Sequence, residues 1–362
     1  MKYLHVFIFI ITFSTASAQI KYYDAKNFPL YGKVSNETET VFERLPAALK
    51  TIVRPDVWEL GKNTAGLYLR FKTNSTSISL KWEVTLNRTM DHMPATGIKS
   101  FDLYRLVNGK WDFVNVARTN TNSLSTESKI ISNMDHSEKE LLLFFPLYDG
   151  VKSLMIGVDE GSSLSMPKVD LPNHKLPAIC YGTSILQGGC ASRPGMVFTN
   201  ILTRWYNKEF INLGFSANAS LDYEIAELIA SKESSLIILD FMANVNSKII
   251  EDKLEKFHSI IREKAPYTPI LLVEMTYFPQ MGSDLKFRKV VEDSNNSLAM
   301  VYKKLKKKGD KNLHFVPAEN MIGNDNEGTV DGVHFTDLGY MRYAEHLKKF
   351  INKHIKGDYK SL

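Results

Sequence analysis

The hydrophobic pattern changes period part-way along this 362-residue chain, and that change narrows the possible folds more than any other feature. From about residue 20 to 165 apolar and polar residues alternate, as in Leu67-Tyr-Leu-Arg-Phe71, Ile78-Ser-Leu-Lys-Trp-Glu-Val84 and Phe101-Asp-Leu-Tyr-Arg-Leu-Val107. Side chains spaced by two point to opposite faces of an extended chain, so these segments are expected as strands. Asn108-Gly109, followed by Lys110-Trp111-Asp-Phe113-Val114, is a two-residue hairpin signature, because both turn positions need a positive φ. With Leu141 to Leu147 and Ser153 to Val158 as further strands, this half is expected to form a β-sandwich of jelly-roll type. Beyond a Pro- and Gly-containing stretch from Asp159 to Pro177 the pattern becomes short apolar strands at Ala178 to Tyr181, Phe210 to Leu213, Leu236 to Leu239, Ile270 to Glu274 and Leu313 to Val316. They alternate with helical stretches such as Leu221 to Ala230, Lys248 to Glu263 and Thr336 to Ile355. Strand-helix alternation predicts a parallel sheet covered on both faces, with its active site beyond the carboxyl ends of the strands.

Lys2, an apolar stretch centred on Val6 to Ile11, and Ala16-Ser17-Ala18 have the layout of a cleavable signal peptide, with an apolar core too short to span a bilayer. The expected organisation is a signal peptide at 1–18, a β-sandwich at 19–165, a linker at 166–177 and an α/β domain at 178–362. Export to the periplasm or medium follows, with no lipid-anchoring cysteine near the cleavage site and no stable membrane anchor. A formal charge of +5 is scattered apart from Lys303, Lys304 and Lys306 to Lys308, without interleaved aromatics, so nucleic acid is not an expected partner. Two cysteines, Cys180 and Cys190, do not make a disulfide scaffold and are expected as buried thiols. Metal and cofactor sites are expected to be absent: there is no His-Glu-x-x-His, no Cys-x-x-Cys, and Gly188-Gly189 lacks the Lys-Ser/Thr of a phosphate-binding loop.

Two motifs carry chemistry. Ser184, in Cys180-Tyr-Gly-Thr-Ser-Ile-Leu-Gln-Gly-Gly189, follows a predicted strand and leads into a helix, which exposes its hydroxyl at the strand's end. Asp331-Gly-Val-His334 stands near the other end of the domain, with a spacing that lets the aspartate orient the imidazole while the histidine serves Ser184 as general base. Alone, each is ordinary turn chemistry. Asp240 and Asp102 are expected in structural roles, and Trp58, Trp82 and Trp111 in the core more readily than as sugar-stacking platforms. Arg193 and Gln187, which follow the serine, are candidate substrate contacts, with a structural salt bridge as the alternative for Arg193.

Taken together, Ser184, Asn212-Leu-Gly-Phe-Ser-Ala-Asn218, Asp240-Phe-Met-Ala-Asn244 and Asp331-Gly-Val-His334 resemble, in order and spacing, the four sequence blocks of SGNH (GDSL-type) hydrolases. The resemblance implies a flavodoxin-like three-layer α/β/α domain, with Ser184 as nucleophile, His334 as base and Asp331 as its orienting carboxylate. It also implies an oxyanion hole built from the amides of Ser184 and Ala217 and the side chain of Asn244. Thr183 stands where the family usually has aspartate, and Ala217 where it usually has a glycine, which is a difficulty if the backbone there needs a positive φ. Gly97-Ile-Lys-Ser-Phe-Asp-Leu-Tyr104 further resembles the Gly-x-Asp-Leu-Tyr N-terminal domain of a Bacteroidetes-type subgroup, with Ser100 at the motif's glycine. The implied activity is a secreted serine esterase acting through an acyl-enzyme on an acylated glycan or other small ester, with O-acetyl groups favoured. The alternatives are a lipase, lysophospholipase or acyltransferase of the same fold, and a non-catalytic glycan-binding protein.

Overall fold

The computed structural model describes residues 19–168, 176–357 and 359. The signal-peptide expectation at 1–18 and residues 169–175 of the linker, His174 among them, lie outside the described residues. The first half contains β1 (Ile20–Asp24), β2 (Leu30–Tyr31), α1 (Pro55–Gly61), β3 (Tyr68–Thr73), β4 (Ile78–Val84) and α2 (Ala95–Lys99). It continues with β5 (Asp102–Val107), β6 (Lys110–Val116), β7 (Ser125–Ile131), β8 (Lys139–Phe144), β9 (Val151–Asp159) and β10 (Leu164–Ser165). These strands form two antiparallel sheets, in the orders β1-β9-β4-β7 and β10-β3-β8-β5-β6, with β2 paired to β3. Leu69 and Phe71 of β3, Leu141 and Leu143 of β8, Leu80 and Trp82 of β4 and Ile156 and Val158 of β9 share one core, the interior of a β-sandwich. The hairpin joins β5 to β6, with Asn108 at φ 50° and Gly109 at φ 79° as its turn type requires.

One strand departs from strict alternation for a physical reason. Leu141, Leu142, Leu143 and Phe144 are all fully buried, because the second sheet is covered on both faces. Leu141 and Leu143 point into the sandwich, whereas Leu142 and Phe144 cluster with Tyr68, Tyr104 and Trp111 on the opposite face, and that face meets the second half. There Arg204 stacks over Tyr104, and Trp111 Nε1 donates to Asn207 Oδ1 at 3.1 Å.

The second half is a five-stranded parallel sheet. Its elements are β11 (Ala178–Gly182), α3 (Ser184–Gln187), α4 (Phe198–Tyr206), β12 (Phe210–Gly214), α5 (Tyr223–Ala230), β13 (Leu236–Asp240) and α6 (Ser247–Lys264). After them come β14 (Ile270–Val273), α7 (Leu285–Lys307), β15 (Leu313–Val316) and α8 (Asp337–His354). The order β12-β11-β13-β14-β15 places the first strand between the second and third, as in flavodoxin-like sheets, with the switch point at the carboxyl ends of β11 and β13. Helix α4 packs on α8, and α5, α6 and α7 pack in series, so the apolar strands are covered on both faces. Among the described residues no helix is long and apolar enough to cross a membrane.

The two halves approach at backbone distance. A Cβ on Gly66 would sit 2.4 Å from the Asn212 Cβ, and one on Gly97 would sit 2.2 Å from the Ala191 carbonyl oxygen. Arg44, fully buried, donates to the carbonyls of Leu60 and Asn63 on its own side and to those of Asn212 and Gly214 on the other. Ser100 is extended at φ −122°, so no glycine is needed there, and its hydroxyl donates to the Ala117 carbonyl.

Candidate active site

The Ser184 hydroxyl is delivered by a turn held at several points. Thr183 caps the four-residue helix α3 by accepting from the Ile185 amide, and Gly188 closes it in the left-handed region. Tyr148, from the β-sandwich, donates its hydroxyl to the Ser184 carbonyl at 3.1 Å. Tyr340 of α8 donates to the carbonyls of Ile185 and Gly189, both at 2.9 Å. Ser192, just beyond the turn, donates its amide and hydroxyl to Asp337 at the start of α8. These bonds bring the start of α8, and with it the segment before it, against the serine.

Asp331 and His334 lie in that preceding segment. His334 Nε2 is 2.9 Å from Ser184 Oγ, and His334 Nδ1 is 2.7 Å from Asp331 Oδ2. Asp331 Oδ1 accepts the amides of His334 at 2.7 Å and Val333 at 3.0 Å. Burial pushes the Asp331 carboxyl up, but the hydrogen bonds from the imidazole and the two amides outweigh it and hold the carboxyl below its ordinary range. A carboxylate fixed this way holds the imidazole in the tautomer whose Nε2 can accept a proton from the serine.

Next to the serine, the loop after β12 is shaped by buried amides. Gln187 is fully buried, donates Nε2 to the Leu147 carbonyl and accepts the Ser216 amide at Oε1. Ala217 follows in the left-handed region at φ 58°, so the alanine occupies a conformation that glycine adopts without steric cost. Asn244, just past β13, accepts the Ala219 amide at Oδ1, which fixes its side chain beside that loop. Among the described residues, the Ser184 and Ala217 amides donate to no other group.

Two expected substrate contacts hold bonds inside the protein. Both ends of the Gln187 side chain are used inside the protein, so it braces the loop instead of meeting a ligand. Arg193 donates to Asp102 Oδ2 at 2.7 Å and to the Tyr104 hydroxyl, and its guanidinium lies over the Phe113 ring, which makes it a cross-domain bridge. Asp102 takes the domain-contact role and also accepts the Gly195 amide. Trp58, Trp82 and Trp111 are buried, so none is an exposed sugar platform. Cys180 and Cys190 are free and buried.

Several residues at the site had no signal in the sequence. A cleft of about 310 Å³ is lined by Asp56, Glu59, Arg88, Met90 and Tyr148 from the sandwich and by Ser216 and Asn218, which flank Ala217. His92, also from the sandwich, packs its ring 5.6 Å from that of His334, between centroids. Cys190 sits beside them at φ 71°, and burial, with smaller contributions from the Asp331 and Asp91 charges, pushes its thiol up to about 12.

The profile of the GDSL-like lipase/acylhydrolase family matches residues 175–352, and the profile described as the N-terminus of SGNH-hydrolase-type esterases, GxDLY, matches residues 20–164. A candidate GDSL-like lipase from Bacteroides ovatus, known as a crystal structure, is 37% identical, with a TM-score of 0.88 over 92% of this chain and 98% of its own. The salicylyl-acyltransferase SsfX3 of a tetracycline biosynthetic pathway shares the fold at 19% identity, with a TM-score of 0.74 over 92% and 97% of the two chains. A family two carbohydrate esterase from Clostridium thermocellum does so at 12% identity, with a TM-score of 0.56 over 80% and 92%. No curated protein matches the sequence. The chain belongs to the GDSL-like lipase/acylhydrolase (SGNH) family, in the branch that carries the GxDLY N-terminus of SGNH-type esterases.

Proposed function

We propose that this protein is an exported carboxylic-ester hydrolase that removes short acyl groups, foremost O-acetyl, from carbohydrate hydroxyls. The observation that carries the reading is the unbroken hydrogen-bonded chain from Ser184 Oγ through His334 to Asp331. In the proposed reaction His334 Nε2 takes the proton of Ser184 as Oγ attacks the ester carbonyl carbon. The charge that develops on the carbonyl oxygen meets the amides of Ser184 and Ala217 and the Asn244 Nδ2. The carbon–oxygen bond to the alcohol then breaks, and the alcohol leaves with the proton held on His334. A water attacks the acyl-enzyme through the same base, and the acid departs as Ser184 regains its proton. Asp331 stays ionised throughout and steadies the imidazolium.

The choice of a polar alcohol rests on the cleft lined by Ser216 and by Tyr148, which bonds the Ser184 carbonyl; its two carboxylates and one guanidinium, from Asp56, Glu59 and Arg88, suit hydroxyl-rich ligands better than a lipid tail. Structural neighbours named as a carbohydrate esterase and an acyltransferase lend support to either reaction on this fold. Acyl transfer to an alcohol in place of water is the second reading, and a polar cleft able to seat an acceptor favours it.

A p-nitrophenyl ester series from acetate to palmitate tests the chain-length claim, with activity expected to fall steeply beyond the shortest acids. A maximum at long chains would replace this reading with a lipase. Acetate release from acetylated polysaccharides, compared with acyl transfer to added sugars, separates the hydrolase from the acyltransferase. Export predicts that the mature protein begins at Gln19, which N-terminal sequencing of the protein from the extracytoplasmic fraction reads directly.

A further inference from the structure

Where the first domain meets the His334 segment, four groups from three stretches of chain converge. One donor atom from each of His92, Cys190, Asp331 and His334 lies within 4.8 Å of the other three, the one group of three or more His, Cys, Asp and Glu donors this close among the described residues. Two neutral imidazoles, a thiol and a carboxylate are the donor types of a tetrahedral zinc site. At zinc–nitrogen lengths of roughly 2.1 Å and zinc–sulfur of roughly 2.3 Å, the edges of such a tetrahedron are about 3.5 Å long. Side-chain rotations that draw the donors about 1 Å closer would therefore close the site.

The surroundings are those of metal-binding histidines. His92 Nδ1 is 2.8 Å from Asp91 Oδ1, a carboxylate outside the proposed ligand set. A carboxylate on one ring nitrogen orients the ring and leaves the other nitrogen to face an ion, the arrangement that commonly backs a ligating imidazole. The side chains of His92, His334 and Asp331 are 35%, 24% and 36% exposed, so an ion can enter from solvent. Cys190 closes the inner side at 5% exposure and keeps a left-handed backbone that a glycine would take more cheaply.

We propose that His92, Cys190, Asp331 and His334 form an inhibitory site for zinc(II), through which the metal switches the esterase off. On binding, the Cys190 thiol loses its proton to solvent and the thiolate bonds the metal. His334 gives the metal one ring nitrogen, and either choice disables it. Nε2 is the atom hydrogen-bonded to Ser184 Oγ, and Nδ1 is the atom held by Asp331. The inhibitory part rests on the reading of His334 as the base for Ser184, whereas binding of the metal does not.

Binding is therefore read without turnover. Chelator-treated protein is titrated with Co²⁺ and Zn²⁺, and the thiolate-to-cobalt charge-transfer band and calorimetric binding are followed in the wild type and in Ser184→Ala. Both should bind one equivalent. Cys190→Ser should abolish the charge-transfer band, and Cys190→Ser and His92→Asn should each weaken Zn²⁺ binding by about tenfold or more. In the activity arm, Zn²⁺ should suppress p-nitrophenyl acetate hydrolysis by the wild type, and a chelator should restore it. Cys190→Ser and His92→Asn should retain metal-free turnover and lose the zinc sensitivity, with Cys190→Ala and His92→Gln as second variants should either of the first misfold. Absence of a thiolate–cobalt band in the wild type, zinc binding unchanged in both variants, or zinc bound without loss of turnover would each overturn the proposal. Full turnover in Ser184→Ala would instead remove the serine reading while leaving the binding result to stand.

Discussion

Ala217 is where a family pattern and a single backbone angle meet. At φ 58° it occupies the left-handed region, which costs a residue bearing a Cβ roughly 1–2 kcal/mol. Replacing it with glycine relieves that strain but frees the unfolded chain, so Ala217→Gly should raise stability by about 0.5–1 kcal/mol in urea unfolding. Because the proposed donor is a backbone amide, kcat should be retained. Asn244 is different, since its side chain is the proposed donor and is oriented by the Ala219 amide at its Oδ1. Asn244→Ala should lower kcat by ~100-fold to 1,000-fold with little change in KM, as measured on p-nitrophenyl acetate. Ser184→Ala should cost more than about 1,000-fold while the circular dichroism spectrum stays native, and retained turnover would remove the nucleophile.

At the scale of elements, the ends of β11 and β13 do most to position the chemistry, and Asp240 closes β13. Burial pushes its carboxyl up to about 7, against a smaller downward pull from the Tyr343 hydroxyl nearby. A carboxyl whose folded pKa is raised favours the folded state in its protonated form. That contribution is fully present below the unfolded pKa of about 4 and is lost as the pH rises through about 7. Asp240→Asn, neutral at every pH, should therefore gain thermal stability over the wild type at pH 8, by about 2–4 °C for each kcal/mol, and little at pH 4. Equal differences at the two pH values would show that the carboxyl does not titrate in this range. The elements themselves were largely legible. The five parallel strands and the Asn108-Gly109 hairpin follow from apolar run length and turn chemistry, which are local properties. β8 was harder, because its unbroken Leu-Leu-Leu-Phe run reflects a second covered face contributed by the other half of the molecule.

Across the whole molecule the two halves are bound by Arg44, whose guanidinium reaches backbone carbonyls on both sides while fully buried. Removing it leaves those carbonyls without a donor, so Arg44→Met should destabilise the protein by at least about 3 kcal/mol, seen as a lower midpoint in thermal unfolding. A variant as stable as the wild type would mean that the carbonyls find other partners. The contact also decides what the candidate site contains. Local order along the chain, with a strand, a capped turn at Ser184 and an Asp-x-x-His before the last helix, was enough to single out the residues that form the hydrogen-bonded chain, since each motif is defined by neighbours in sequence. It was not enough for Gln187 and Arg193, whose partners Leu147, Ser216, Asp102 and Tyr104 lie tens of residues away. Nor was it enough for Tyr148, which bonds the Ser184 carbonyl, or for His92, which packs on His334, because both come there only as the sandwich docks on the parallel sheet. The sequence by itself determined the two fold types, the family and the residues of the hydrogen-bonded chain, because periodicity and short motifs are written in local spacing. Tertiary structure alone decided which side chains surround the serine, because the close packing of two separately patterned surfaces is a property of neither taken alone.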